Sequence, residues 1–134
     1  MFTRKGIHMD DEKQKMLKEM LDKRGFVLDF HKVLIEEDLE FLKRYEALIS
    51  YAITDQRTLD KRTKELVFVA VLTALQAGKD HIGAHIRLAM ENGATKQEIL
   101  EVLELIYPPC GTLRFMNGVE AYIETLSNAK GGPA

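Results

Sequence analysis

Apolar residues recur at helical spacing along most of the chain. Between Asp10 and Lys23, Met16, Leu17, Met20 and Leu21 make one apolar face, which predicts an amphipathic N-terminal helix over 10–24 ended by Arg24-Gly25. The same period continues from about Leu28 to Ile53 through Phe30, Val33, Leu34, Leu39, Phe41, Leu42, Tyr45, Leu48 and Ile49, with Glu36-Glu37-Asp38 marking a break between a short helix and a longer one. Asp60 has the short acceptor that an N-cap needs, and KRTKELVFVAVLTALQAG follows it as the next helix. Leu66 to Leu75 is apolar on nearly all sides, so this helix belongs inside a core or an oligomer. Val67, Phe68, Val69 and Val71 also suit a strand, but period-2 alternation is absent and charged helical turns come first, which favours the helix.

Three further helices follow. One carries His81 and His85, one runs from Thr95 to Tyr107 and is ended by Pro108-Pro109, and the last spans about Leu113 to Leu126. The last shows Leu113, Met116, Val119, Tyr122 and Ile123 on its apolar face, and the tail over 128–134, NAKGGPA, is expected to be disordered. The prediction is all-α, a bundle of about six helices in a single domain over 1–134. A chain of 134 residues is long enough for one core and leaves no room for a second domain of ordinary size.

Charge and cysteine content narrow the function. A net charge of −2 offers no basic field for nucleic acid. No apolar run reaches the roughly 20 residues that span a bilayer, and MFTRKGIHMDDEK lacks an apolar signal region, so the expected location is cytoplasmic, without membrane attachment. Cys110 is the single cysteine, which excludes an intramolecular disulfide and a CxxC redox pair. It reads as a small apolar or turn residue, and the six methionines as core filler.

The densest chemistry lies in residues 81–98, HIGAHIRLAMENGATKQE. His81 and His85 stand at i and i+4, so one helical face presents both to a shared proton, metal ion or substrate. Gly93 suits the left-handed close of that helix, and Thr95 with Glu98 forms a capping box for the next. A metal needs more than two ligands, and a third would have to come from Glu65, Asp80, His31 or Cys110. This set is incomplete, so no metal and no cofactor are assigned.

The run from Leu59 to Gly111 resembles the carboxymuconolactone decarboxylase family, which includes the alkylhydroperoxidase D-like proteins. The resemblance rests on LD-x-x-T-x-E-L, on a histidine helix before A-x-x-x-G-A-T-x-x-E-I, and on the E-V-L helix after it. It extends more loosely to a core of about 38–127. It implies an all-helical fold assembling as trimers or hexamers through apolar helices, and a small-molecule substrate. The peroxidase branch carries C-x-x-C-x-x-x-H; here the histidine matches His85, while Gly78 and His81 stand at the thiol positions. Since a thiolate is the nucleophile in that reaction, this pattern lacks its chemistry. The decarboxylase branch keeps the histidine and usually a carboxylate one turn earlier, where this chain has His81.

What the resemblance implies for this chain is a cysteine-pair-independent enzyme of histidine acid/base chemistry on a small carboxylated lactone or related metabolite. His85 would transfer the proton, His81 would partner it, Glu65 would orient it, and Lys79, Arg87 or Arg114 would supply cationic contacts. The family's glycine-proline turn is replaced by Tyr107-Pro108-Pro109-Cys110-Gly111-Thr112. Two alternatives stay open at this point: a peroxide reductase using Cys110 alone, and a non-catalytic oligomer that binds a metabolite or a metal.

Overall fold

Short polar side chains set where several of the helices begin. A computed structural model describes residues 3–131, in which seven α-helices and one π turn are found and no strand. That is one more than the bundle of about six helices expected, and the break expected at Glu36-Glu37-Asp38 is found at Asp38. Asp38 accepts from the amide of Phe41 and starts a new helix. The chain forms two compact units, Met1–Asp55 and Gln56–Ala134.

In the first unit, α1 (Thr3–Arg24), α2 (Asp29–Glu37) and α3 (Leu39–Ile49) are followed by a π turn over Ser50–Thr54. Helix α1 begins seven residues ahead of the predicted Asp10. No proline interrupts 3–10, and extending an existing helix adds one hydrogen bond per residue fixed. Met20, Ile35 and Leu42 make the core, with Met16, Leu17, Val27, Leu34 and Tyr45 packed around it. Fully buried His31 takes the amide of Leu28 on Nδ1 at 2.9 Å, which satisfies an open donor at the start of α2.

Arg24 joins this core by two 2.8 Å bonds to the carboxylate oxygens of Glu46 and lies 2.9 Å from Nε2 of His31. Burial raises the Glu46 carboxyl above its ordinary range, and the opposing pull of Arg24 does not cancel it. A pair that burial penalises this way is costly to break and cheap to replace. Arg24→Met should destabilise the protein by roughly 2–4 kcal/mol in urea unfolding, and the double variant Arg24→Met/Glu46→Leu should recover most of that loss. A double variant no better than the single one would show that the ion pair is a net stabiliser.

The second unit contains α4 (Lys61–Ala74), α5 (Lys79–Glu91), α6 (Lys96–Cys110) and α7 (Thr112–Gly131). Its core is Val69, Ile82, Ile86, Ala89, Ala94, Ile99, Leu103 and Ala121. Asp60 caps α4 by accepting from Thr63 at 2.7 Å, which holds its carboxyl below the usual range. Gly93 sits at φ +96 between the bonds Gly93 N–H to Met90 O and Ala94 N–H to Ala89 O, a Schellman close of α5. The same pair of bonds closes α4 around Gln76 at φ 58, two residues before Gly78, the last residue of the predicted segment.

Thr95 and Glu98 bond reciprocally as a capping box, and the Thr95 amide together with Arg62 lowers the Glu98 carboxyl.

Two predicted ends move. Helix α6 continues through Pro108 and Pro109 to Cys110: the missing amides would have bonded the Glu104 and Leu105 carbonyls, and both residues are exposed, where water can take the place of the lost donors. Gly111, at φ +86, closes the helix by donating to Tyr107 O. Helix α7 runs on to Gly131 through the first part of the tail expected to be disordered; residues 132–134 lie outside the described residues. Helix α4 turns Glu65, Val69 and Thr73 inward, whereas Val67, Val71 and Leu75, at i, i+4 and i+8, are 49%, 45% and 72% exposed. Among the described residues no helix is long and apolar enough to cross a membrane.

Candidate functional site

Helices α4 and α5 pack along each other and bring together residues 20 apart in sequence. Glu65 lies in the second turn of α4 and His85 in the middle of α5, and both are buried, at 1% and 5% exposure. Their side chains meet with His85 Nδ1 at 2.6 Å from Glu65 Oε2. A carboxylate only accepts, so a Glu65 carboxylate places the proton of this hydrogen bond on Nδ1. Glu65 is thus a buried carboxylate and does not face solvent. Among the described residues, every buried side-chain nitrogen and oxygen has a hydrogen-bond partner.

Aromatic contacts complete the group. The Phe68 ring stacks on the His85 imidazole at 4.8 Å between centroids and 14° between planes. The partly exposed His81 ring lies 5.4 Å from it, tilted by 43°. The structure thus gathers Glu65, His81 and His85, as the sequence suggested, and adds Phe68. The signal for Phe68 was present: residues 65 and 68 are i and i+3 on one helix and share a face. It was masked by the continuous apolar run around it.

The other candidates have different surroundings. Lys79 pairs with Glu120 at 2.7 Å and Glu124 at 3.6 Å, and the hydrogen bond to Glu120 raises its ammonium above the usual range. Arg114 donates Nε to the Ala74 carbonyl at 2.7 Å, where a cation also complements the C-terminal end of α4. Arg87 and Asp80 face solvent. Cys110 is partly buried at the end of α6, next to a turn where Tyr107 Oη and Thr112 Oγ1 lie 2.9 Å apart. His31 belongs to the first unit, bonded as described above. Among the described residues no three His, Cys, Asp or Glu side chains gather in a way that holds a metal ion.

Comparison with known proteins identifies the family and the fold. Residues 40–124 match the model of the carboxymuconolactone decarboxylase family. An uncharacterized protein of Methanocaldococcus jannaschii is 32% identical over 95 residues, covering 66% of this chain and 88% of its own. A crystal structure from Burkholderia xenovorans LB400, of a protein named as a candidate carboxymuconolactone decarboxylase, superposes with a TM-score of 0.73 at 20% identity. It covers 91% of this chain and 99% of that one. At that identity the likeness establishes the fold.

Proposed function

The chain belongs to the carboxymuconolactone decarboxylase family, and from that premise we propose that it is an enzyme of histidine acid/base chemistry acting on a small carboxylated lactone or a related metabolite. The observation that carries this reading is the buried 2.6 Å contact between Glu65 and His85. A histidine whose Nδ1 is held by a carboxylate presents Nε2 in one defined tautomer, and the carboxylate offsets the charge the ring gains when Nε2 holds a proton.

In the proposed reaction the bond between the ring carbon and the carboxylate breaks and carbon dioxide leaves. The electron pair stays on the lactone as a conjugated enolate, and Nε2–H of His85 delivers the proton to carbon. Glu65 keeps Nδ1 protonated throughout. His81, one turn away and partly open to solvent, returns a proton to Nε2 from water.

The exposed row Val67, Val71 and Leu75 supports the further proposal of a homo-oligomer, a trimer or hexamer, since isolated apolar rows of this kind are usually covered.

A peroxide reductase built on Cys110 has less support, because its thiol is on a different element from the histidine pair and no second cysteine exists to resolve it. The discriminating assay measures carbon dioxide release from carboxymuconolactone-type acids. His85→Ala should reduce it by about 10²–10⁴-fold, and Cys110→Ala should leave it unchanged. Loss of thiol-dependent peroxide consumption in Cys110→Ala, with no lactone turnover by the wild type, would replace this reading with the peroxidase.

A further inference from the structure

We propose that Phe68 is a positioning residue for His85: its ring, stacked on the imidazole, holds the plane in which Nδ1 reaches Glu65 and Nε2 faces the ligand. The proposal rests on the reading of His85 as the proton-transfer group, but its geometry stands by itself. A hydrogen bond at Nδ1 fixes one atom of the ring and leaves it free to rock about the Cβ–Cγ bond, because the last torsion of a histidine side chain has a broad minimum. Rocking swings Nε2, on the far side of the ring, through the largest arc. A second contact is needed to fix the plane.

Phe68 supplies it. The two rings are 4.8 Å apart and nearly parallel, at 14°, so rotation of the imidazole drives an edge into the phenyl face. His81 cannot do the same at 43° and 5.4 Å, because a tilted ring touches an edge and leaves the plane loose. Glu65 and Phe68 sit one turn apart on α4, so a single rigid helix presents the acceptor and the flat surface together. The phenyl ring covers one face of the His85 imidazole.

Phe68 differs in this from its neighbours on α4. Val69 is core, and Leu66 and Leu72 pack against that core, so their replacement reads out as packing alone.

The test uses full-length protein with ¹⁵N-labelled histidine. In the wild type the His85 Nδ1–H, bonded to Glu65, should give a downfield proton resonance slow to exchange with water, assigned by its absence in His85→Gln. Phe68→Leu and Phe68→Met keep apolar volume without a ring, and two such variants protect the comparison against misfolding of either. Both should broaden that resonance and speed its exchange with water at least about tenfold, while Phe68→Tyr should restore it. Turnover should fall by about 10–10²-fold in the ring-free variants at unchanged KM, the size expected when a reacting group is misplaced by a fraction of an ångström to 1 Å.

A resonance as sharp and slow in Phe68→Leu and Phe68→Met as in the wild type would overturn the proposal. Failure of the wild type to turn over any carboxylated lactone would overturn the proposed function instead, and the resonance would still decide the role of Phe68.

Discussion

Glu65→Gln is expected to lower turnover of a carboxylated lactone by about 10²–10⁴-fold while leaving a folded protein. Glutamine has nearly the shape of glutamate, so α4 and α5 still pack. What changes is the proton. The amide can turn its NH₂ toward Nδ1, which makes Nδ1 the acceptor and moves the ring proton to Nε2 in the neutral state. The negative charge that offsets the imidazolium is lost in either orientation. Glu65→Ala goes further, because it leaves a buried Nδ1 donor with a void in place of its acceptor. A loss of about 1–3 kcal/mol of stability is expected on top of the rate effect. The pair of variants separates the two roles: rate lost in both, stability lost mainly in Ala. If Glu65→Gln retained wild-type kcat, the carboxylate would be structural and His85 would act without it.

Gly118→Val should be the most damaging single substitution in the second unit, with more than about 3 kcal/mol lost in urea unfolding. Gly118 lies on α7 where it crosses α4 and α6. A Cβ there would stand 2.6 Å from Thr73 Cγ2 and 2.7 Å from Leu103 Cδ2. Thr73 cannot turn aside freely: it is fully buried, and its hydroxyl donates to the Val69 carbonyl at 2.6 Å. Even Gly118→Ala, which gains up to about 1 kcal/mol of helix propensity, should be a net loss of about 1–2 kcal/mol. Thr73→Ser removes the nearer methyl group, and in that background the cost of Gly118→Ala should shrink by about 1 kcal/mol. A rise in stability for Gly118→Ala in the wild-type background would mean that the crossing has slack. Gly83 is a second tight position: its added Cβ would meet Thr125 Oγ1 at 2.7 Å, and Thr125 is buried with its hydroxyl donating to the Ala121 carbonyl at 2.7 Å.

Much of the fold was legible before the structure because helix ends are decided locally. Asp60, Gly93, and Thr95 with Glu98 act through bonds that span three to five residues, and each does what its sequence neighbourhood predicted. Legibility failed where two local signals conflicted. Pro108-Pro109 reads as a stop, yet the two bonds it forfeits fall on the exposed Glu104 and Leu105, and Gly111 provides the real end. At the head of the chain the hydrophobic period fades before Asp10 although the backbone continues as helix from Thr3, because periodicity reports burial and not hydrogen bonding.

The candidate site divides in the same way. Sequence by itself determined that His81 and His85 share a face, since that follows from 3.6 residues per turn, and that no cysteine pair could serve this chain. Only the tertiary structure decided that Glu65 is the partner of His85, that Phe68 lies flat on the imidazole, and that Lys79 and Arg114 are engaged by Glu120, Glu124 and the end of α4. These contacts join different helices, and their geometry depends on how α4, α5 and α7 pack. The rules of turns and caps reach about five residues along the chain; a hydrogen bond across 20 residues exists only after the core has set two helices side by side.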